Sequence, residues 1–229
     1  MTRYDFRYSE VHYELWALGH MLAVIEPAIE TLSEQDEVQT RAELEQGGYA
    51  YDDAEVDLAF QDIREKRDHV LPRFMRGPFV VSLWACFESS VQAVARGLHK
   101  ELDAPIELRE LKGETFLAQS RRYFQAILDL PLDDDDARYA RLADLSRVRN
   151  AIAHANGLRE GMSTDAWNKL GSALSRRGVV LDSDRGMLVL PRAYLEGAYA
   201  DVDGSLRSLV ERARSHADDR LSKKLPTKP

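Results

Sequence analysis

The sequence predicts an all-α fold, a helical bundle with one small β-hairpin set before the C-terminal helix. Three observations carry that reading. The chain is rich in Ala, Leu, Glu and Arg and holds only 13 glycines and 8 prolines in 229 residues, a balance that favours helix over sheet. Apolar residues recur in steps of three and four through several long stretches, the spacing of one helix face. A single stretch breaks the rhythm: in VVLDSDRGMLVL, residues 179–190, two short apolar runs flank a polar turn. That is the pattern of a hairpin, with Gly186 at a bulge or left-handed position.

The elements follow in order. YSEVHYELWALGHMLAVIEPAIETL places Leu15, Leu18, Leu22, Ile25 and Ile29 on one face, with Ser9 capping this helix and Ser33 capping the next piece. A charged stretch broken by Gly47 and Gly48 follows, and helix resumes near Asp52 and runs to about Pro72. The clearest core helix covers 78–101. Pro78 suits its first turn, and Val80, Trp84, Phe87, Val91, Val94 and Leu98 draw one apolar stripe along it. Glu88 falls roughly 80° from the centre of that stripe, on its border. A further helix covers 107–129 and ends before Pro131. Then LDDDDARYARLADLSRVRNAIAHANG opens on four aspartates, which suit a helix N-terminus by capping and by facing the positive end of its dipole. Asn156 and Gly157 close that helix. After the hairpin a last helix begins past Pro191 and ends near His216.

Size and composition bound the function. A chain of this length suits one compact domain with an extension: a helical extension over 1–50, the main domain over 51–217, and a tail at 218–229 expected to be disordered. Apolar residues make up 44% and charged residues 31%. MTRYDFRYSE lacks the apolar core of a leader. Unbroken apolar runs such as FVVSLWAC are too short for a bilayer, so no membrane partner is expected. One cysteine, Cys86, excludes an internal disulfide and suits a reducing compartment; the cytoplasm is the expected location. The net charge of −8 argues against a broad nucleic-acid-binding surface but leaves room for a local basic site. Arg138, Arg141, Arg147, Arg149 and Arg159 cluster, with Arg121 and Arg122 on a preceding segment, and a solvated helix face is the ordinary reading of such a cluster.

Several chemistries find no support in the sequence. No glycine-rich phosphate loop is present, none of the six histidines has HExxH spacing, and one cysteine cannot build a zinc site of the usual kind. No metal site and no cofactor is expected. Cys86, set among core residues, reads as a packed thiol.

The segment RVRNAIAHANG, 147–157, stands out. On a helix, Leu142, Leu145, Val148 and Ile152 form the apolar stripe, while Ser146, Asn150 and His154 line up four apart as a second, polar row turned away from it. Arg149 falls between the rows. Ala151, Ala153 and Ala155 surround the polar row with small side chains, open to close approach by a ligand or another backbone. Two surface polar residues and an ion-paired arginine would give the same letters. The alternative is chemical: a guanidinium that binds phosphate through two donors, an imidazole that moves protons near neutral pH, and an amide that orients either. Those are the parts phosphodiester cleavage needs without a metal.

RNAIAH resembles the signature of the HEPN superfamily (higher eukaryotes and prokaryotes nucleotide-binding): an Arg, four to six residues, then a His, with a polar residue, often Asn, directly after the Arg. Arg149, Asn150 and His154 match it, late in a helical chain and on a helix opening after an acidic cap. SLWACFESSVQAVARGL is similar to the family's earlier core helix, where an acidic or polar residue often faces the Arg–His site; Glu88 is the candidate. The resemblance covers about residues 52–216. It implies a HEPN-like bundle that forms a homodimer, two Arg–His motifs lining one cleft, and a metal-independent endoribonuclease acting on RNA in a toxin–antitoxin, antiphage or RNA-processing role, with an antitoxin as a candidate partner. Arg149 would stabilise the transition state, His154 act as general acid or base, Asn150 orient His154 or bind an oxygen, and Glu88 orient the Arg or His. One departure stands: a toxin subgroup carries Tyr two residues after the His, where this chain has Asn156. The alternative reading is a non-catalytic HEPN module that binds a nucleotide, RNA or a partner protein.

Overall fold

A computed structural model gives the protein at residues 8–47, 52–113, 115–179, 181–182 and 184–224, apart from the side chains of 221, 223 and 224. Seven α-helices account for most of these residues: α1 Ser9–Gly47, α2 Asp53–Glu65, α3 Leu71–Leu102, α4 Phe116–Ala126, α5 Asp136–Ala155, α6 Thr164–Ser175 and α7 Arg192–Lys224. The all-α expectation holds. The chain divides into two compact units, one of Met1–Ala17, Ser82–Ser146 and Ala198–Pro229, the other of Leu18–Val81 and Arg147–Gly197. α1, α3, α5 and α7 contribute residues to both.

The hairpin is not formed. Among the described residues there is no strand; Met187 makes isolated antiparallel bridges to Leu158 and Asp182. The physical reason lies in the competing partner. The chain leaving α5 offers its own backbone, so Leu188 N–H donates to Gly157 O (2.8 Å) and Arg159 N–H to Gly186 O (2.9 Å). Asp182 is held within the turn instead, its carbonyl accepting Gly186 N–H (3.0 Å) and its carboxylate accepting Arg185 N–H (3.0 Å). Gly186 does take the left-handed conformation, φ 61°, while Val180 and Ser183 lie outside the described residues.

Helix boundaries shift in several places. Ser33 does not cap a second helix: it lies buried inside α1, and its hydroxyl donates to Ile29 O (2.8 Å). Gly47 is the last residue of α1, and Gly48 lies outside the described residues. Pro78 is not in a first turn but inside α3, its lost N–H bond offset by neighbours, Phe79 and Val80, that are fully buried. Helix continues from α2 into α3 through one π-helical turn, Lys66–Val70. The 107–129 helix is shorter than expected. Its front is a 3₁₀ turn, Leu108–Glu110, whose Leu108 and Leu111 carbonyls accept from Gln119 Nε2 at 2.9 and 2.6 Å. α6, Thr164–Ser175, is a further helix that the sequence expectation does not contain. At the other end of the chain, α7 stays helical through Lys224, beyond the expected start of the tail, and 225–229 lie outside the described residues.

In the first unit, Val80's successors on the stripe, Trp84, Phe87, Val91, Val94 and Leu98, are all buried as expected. Cys86 is buried, and burial together with Glu14 pushes its thiol up to about 12, so it is neither thiolate nor nucleophile near neutral pH. The three aspartates before α5, whose first residue is the fourth, Asp136, are divided among structural tasks. Asp135 caps the helix, accepting Arg138 N–H at 2.9 Å. Asp133, its side chain 1% exposed, accepts from Arg138 Nε at 3.0 Å. Asp134 accepts from Ser208 at 3.3 Å. Arg141 is paired with Asp201 across to α7 at 2.8 Å.

In the second unit, Ile25, Ile29 and Ile63 are buried and Leu22 is half-buried. A near-buried clamp fixes it: Arg76 donates to both carboxylate oxygens of Glu26 (2.8 and 2.7 Å) and to Leu190 O (2.8 Å). Bidentate geometry of this kind is the strong form of an Arg–carboxylate pair. Lys66 adds a more exposed link from the π turn to Asp36 on α1.

Helices α1 and Asp53–Leu102 are each long and apolar enough to cross a membrane by length and composition, which unbroken runs alone did not show. A core helix meets the same measure: 56% of the qualifying window in Asp53–Leu102 is buried, against 22% in α1. On α1, Tyr13, Trp16, Val24, Leu32 and Val38 are exposed.

Burial pushes the Asp133 carboxyl up, but the Arg138 guanidinium, the Ser205 hydroxyl and the Asp135 backbone N–H together hold it below its ordinary value. Its contribution to stability is therefore complete above about pH 4, the usual carboxylate range, and is lost as pH falls through the depressed folded value. Asp133→Asn is expected to cost about 2 kcal/mol at pH 7 and distinctly less at pH 2.5, measured by urea unfolding. An equal loss at both pH values would show that the charge of Asp133 contributes nothing.

Candidate functional site

The site is built on the end of α5. Leu142, Leu145 and Val148 of the apolar stripe are buried and Ile152 is half-buried, while Ala151, expected beside the polar row, is buried with them; the opposite face is turned outward. Asn150 and His154 are exposed there, Ser146 is half-buried, and Arg149 is half-buried between the faces, as the helical angles predict. Arg149 Nη1 donates to Asn150 Oδ1 at 2.8 Å. That bond settles which way the amide turns. With its oxygen taken by the guanidinium, Asn150 keeps its NH₂ donors for whatever enters beside it.

α5 stops one residue past His154. Asn156 (φ 49°) and Gly157 (φ 68°) are both left-handed, and their N–H groups donate to Ile152 O (2.9 Å) and Ala151 O (3.0 Å). The chain then folds back through a 3₁₀ turn, Arg159–Gly161, into α6. Ser163 caps α6 by accepting Ala166 N–H at 3.2 Å. Gly161 is what allows this return. A Cβ there would lie 2.8 Å from Ala155 Cβ, closer than side chains tolerate.

The fold-back leaves a groove of about 370 Å³ between α5 and α6, within the size of small-molecule sites. Arg147, Asn150, His154, Ser163 and Lys169 supply its polar edge; Ala151, Ala155, Gly161, Ala166 and Leu170 supply its floor. Lys169 pairs with Asp165 one turn back at 2.7 Å, with both side chains about two-thirds exposed or more, so the pair is screened and weak.

Of the sequence candidates, Arg149 and Asn150 are brought into contact, and Asn150 and His154 share the groove. Arg149 is not among its lining residues. Glu88 belongs to the first unit, half-buried on α3, where its Oε1 accepts from Trp84 Nε1 at 2.7 Å. Ala153 is exposed but does not line the groove. Sequence reasoning missed Lys169 and Ser163, because α6 itself was missed. The signal was present: Ser163 precedes an acidic first turn, and Trp167, Leu170 and Leu174 recur at steps of three and four. From the arginine cluster, Arg147 lines the groove; Arg138, Arg141 and Arg121 are ion-paired to Asp133, Asp201 and Asp136.

A second hollow, in the first unit, lies between α3, the 107–111 turn and α4 (about 460 Å³). Its polar groups serve the fold: Tyr123 OH donates to Ile106 O (3.0 Å), His99 Nδ1 meets the same carbonyl (3.1 Å), and Arg109 pairs with Glu107 (2.7 Å).

Compared with known proteins, the chain matches no family model, no curated protein and no solved structure.

The left-handed stop can be tested against an internal control. A Cβ on Gly157 would meet Leu188 Cβ at 3.2 Å, whereas Gly178, also left-handed at φ 70°, has nothing within 4 Å. Gly178→Ala is expected to cost about 1–2 kcal/mol, the backbone penalty alone. Gly157→Ala should cost more and lower the melting temperature further. Equal losses would show that the turn carries no packing constraint.

Proposed function

We propose that the protein is a metal-independent endoribonuclease of HEPN type, acting as a cytoplasmic homodimer in a toxin–antitoxin, antiphage or RNA-processing role. The observation that supports this best is the Arg149–Asn150 hydrogen bond beside an exposed His154, on the outward face of a helix whose other face is core. Arginine holds its charge at any working pH. Imidazole exchanges a proton near neutrality.

In the proposed reaction His154 takes the proton of a ribose 2′-OH. The freed oxygen bonds to the adjacent phosphorus, the bond from phosphorus to the 5′-oxygen breaks, and that oxygen leaves with a proton from an imidazolium. The products are a 2′,3′-cyclic phosphate and a 5′-OH. Arg149 neutralises charge building on the equatorial oxygens, and Asn150 positions the imidazole or binds one of those oxygens. Every proton in this scheme moves between side chain and RNA, so a chelator leaves it intact.

Arg149 and His154 project about 140° apart on a straight helix. A second copy related by a two-fold axis would resolve this, because two Arg–His motifs then line one cleft in which Arg149 of one protomer works with His154 of the other. The second reading, a HEPN module that binds nucleotide, RNA or a protein such as an antitoxin without turnover, is favoured by the net charge of −8, which repels a polyanion at long range.

In EDTA the wild type is expected to cleave single-stranded RNA, with Arg149→Ala and His154→Ala each reducing the rate about 10²–10⁴-fold. Equal activity in all three, or dependence on added metal, refutes the ribonuclease reading. Mixing the two inactive variants tests the shared cleft: mixed dimers hold one intact Arg–His pair and regain activity, whereas a site complete in one subunit regains none.

A further inference from the structure

We infer that the α5–α6 groove is a phosphate-binding track for a single RNA strand, in which Arg147 and Lys169 hold the phosphates next to the one that reacts. The inference rests on the ribonuclease reading and names a part of the substrate site that the Arg–x₄–His motif does not contain.

Donors dominate the groove's polar edge. Arg147 and Lys169 bring two cations to it. Asn150 lines it as well, and with its oxygen already accepting from Arg149 the amide has its NH₂ donors to offer. Ser163 accepts Ala166 N–H and so keeps its own hydroxyl proton to give. His154 stands in the same groove and donates when protonated. No carboxylate lines it. Asp165 holds Lys169 through an exposed pair at 2.7 Å, which a phosphate can replace at little loss.

Placement supports a strand rather than a lone anion. The two cations come from different helices, Arg147 two turns before the end of α5 and Lys169 in the second turn of α6, with His154 on the edge they share. The floor between them is small and apolar, suited to the face of a ribose or a base. Such an arrangement follows a backbone past a reacting centre. It also reconciles the acidic chain with a polyanionic substrate, because attraction need only be local.

The test uses a 2′-O-methyl oligouridylate, which cannot be cleaved because it lacks the attacking hydroxyl, with binding measured across a salt series. Wild type is expected to bind it. Lys169→Gln and Arg147→Gln should each weaken binding about tenfold and reduce the log–log salt slope by about 0.7, one phosphate contact. Lys169→Arg, which keeps the charge, should retain the slope. Both side chains are exposed, and circular dichroism of each variant checks that it folds. Unchanged affinity and slope in both Gln variants, or no binding by the wild type at low salt, overturns the inference. The outcomes separate from those of the reaction itself. Cleavage of unmodified RNA that needs His154 but not Lys169 or Arg147 removes the track and keeps the ribonuclease, while Lys169-dependent binding without any cleavage keeps the track and removes the ribonuclease.

Discussion

The pair of left-handed residues at Asn156 and Gly157 is the constraint on which the second unit's surface chemistry depends. It ends α5 while His154 is still on the last turn, where the helix is exposed on one side. It frees the Gly157 carbonyl to accept Leu188 N–H, drawing the 186–188 segment to this turn instead of to a hairpin of its own. It sends the chain back so that α6 runs beside α5. A helix continuing for two more turns would have carried His154 into its middle and left no groove. Left-handed φ is costly for most residues and cheap for glycine and asparagine. Asn156 and Gly157 are therefore required by backbone geometry before any chemistry is considered.

Much of the fold was legible because burial writes itself into periodicity. The stripes of α1, α3 and α5 were predicted as apolar rows, and nearly all of their members are buried. What failed were rules about single residues. Ser33 has the chemistry of a cap, but its hydroxyl bonds backward to Ile29 O within α1, as serine does when tertiary burial extends the helix past it. Pro78 looked like a beginning because proline lacks a donor; the fully buried residues that follow it compensate for one missing bond inside a long helix. The hairpin failed for a different reason. Alternation specifies that a segment pairs, not with what, and the partner came from 157–159, more than twenty residues upstream.

The candidate site was half legible. The outward polar row of Asn150 and His154, with Arg149 on its flank, followed from helical angles. The Arg149–Asn150 bond joins adjacent residues, which spacing rules for a helix treat as facing apart; a long guanidinium reaching round the helix was needed to connect them. Lys169 and Ser163 were not legible as site residues, because their proximity to His154 is created by the turn at 156–161. Glu88 illustrates the opposite limit. Its border position on the α3 stripe was predicted, and its bond to the Trp84 indole gives it a structural use whatever its part in chemistry.

The floor of the α5–α6 groove has a consequence of its own. Ala151, Ala155, Gly161 and Ala166 present methyl groups, a glycine and helix backbone whose polar groups are largely engaged within the helices. Nothing there can read the edge of a base. The calibre of the groove is set where Gly161 faces Ala155, which fixes how close the chain after α5 comes to the helix. A floor of this kind distinguishes what rests on it by breadth and shape, and hydrogen-bonding discrimination falls to the polar edge of Asn150, His154 and Ser163.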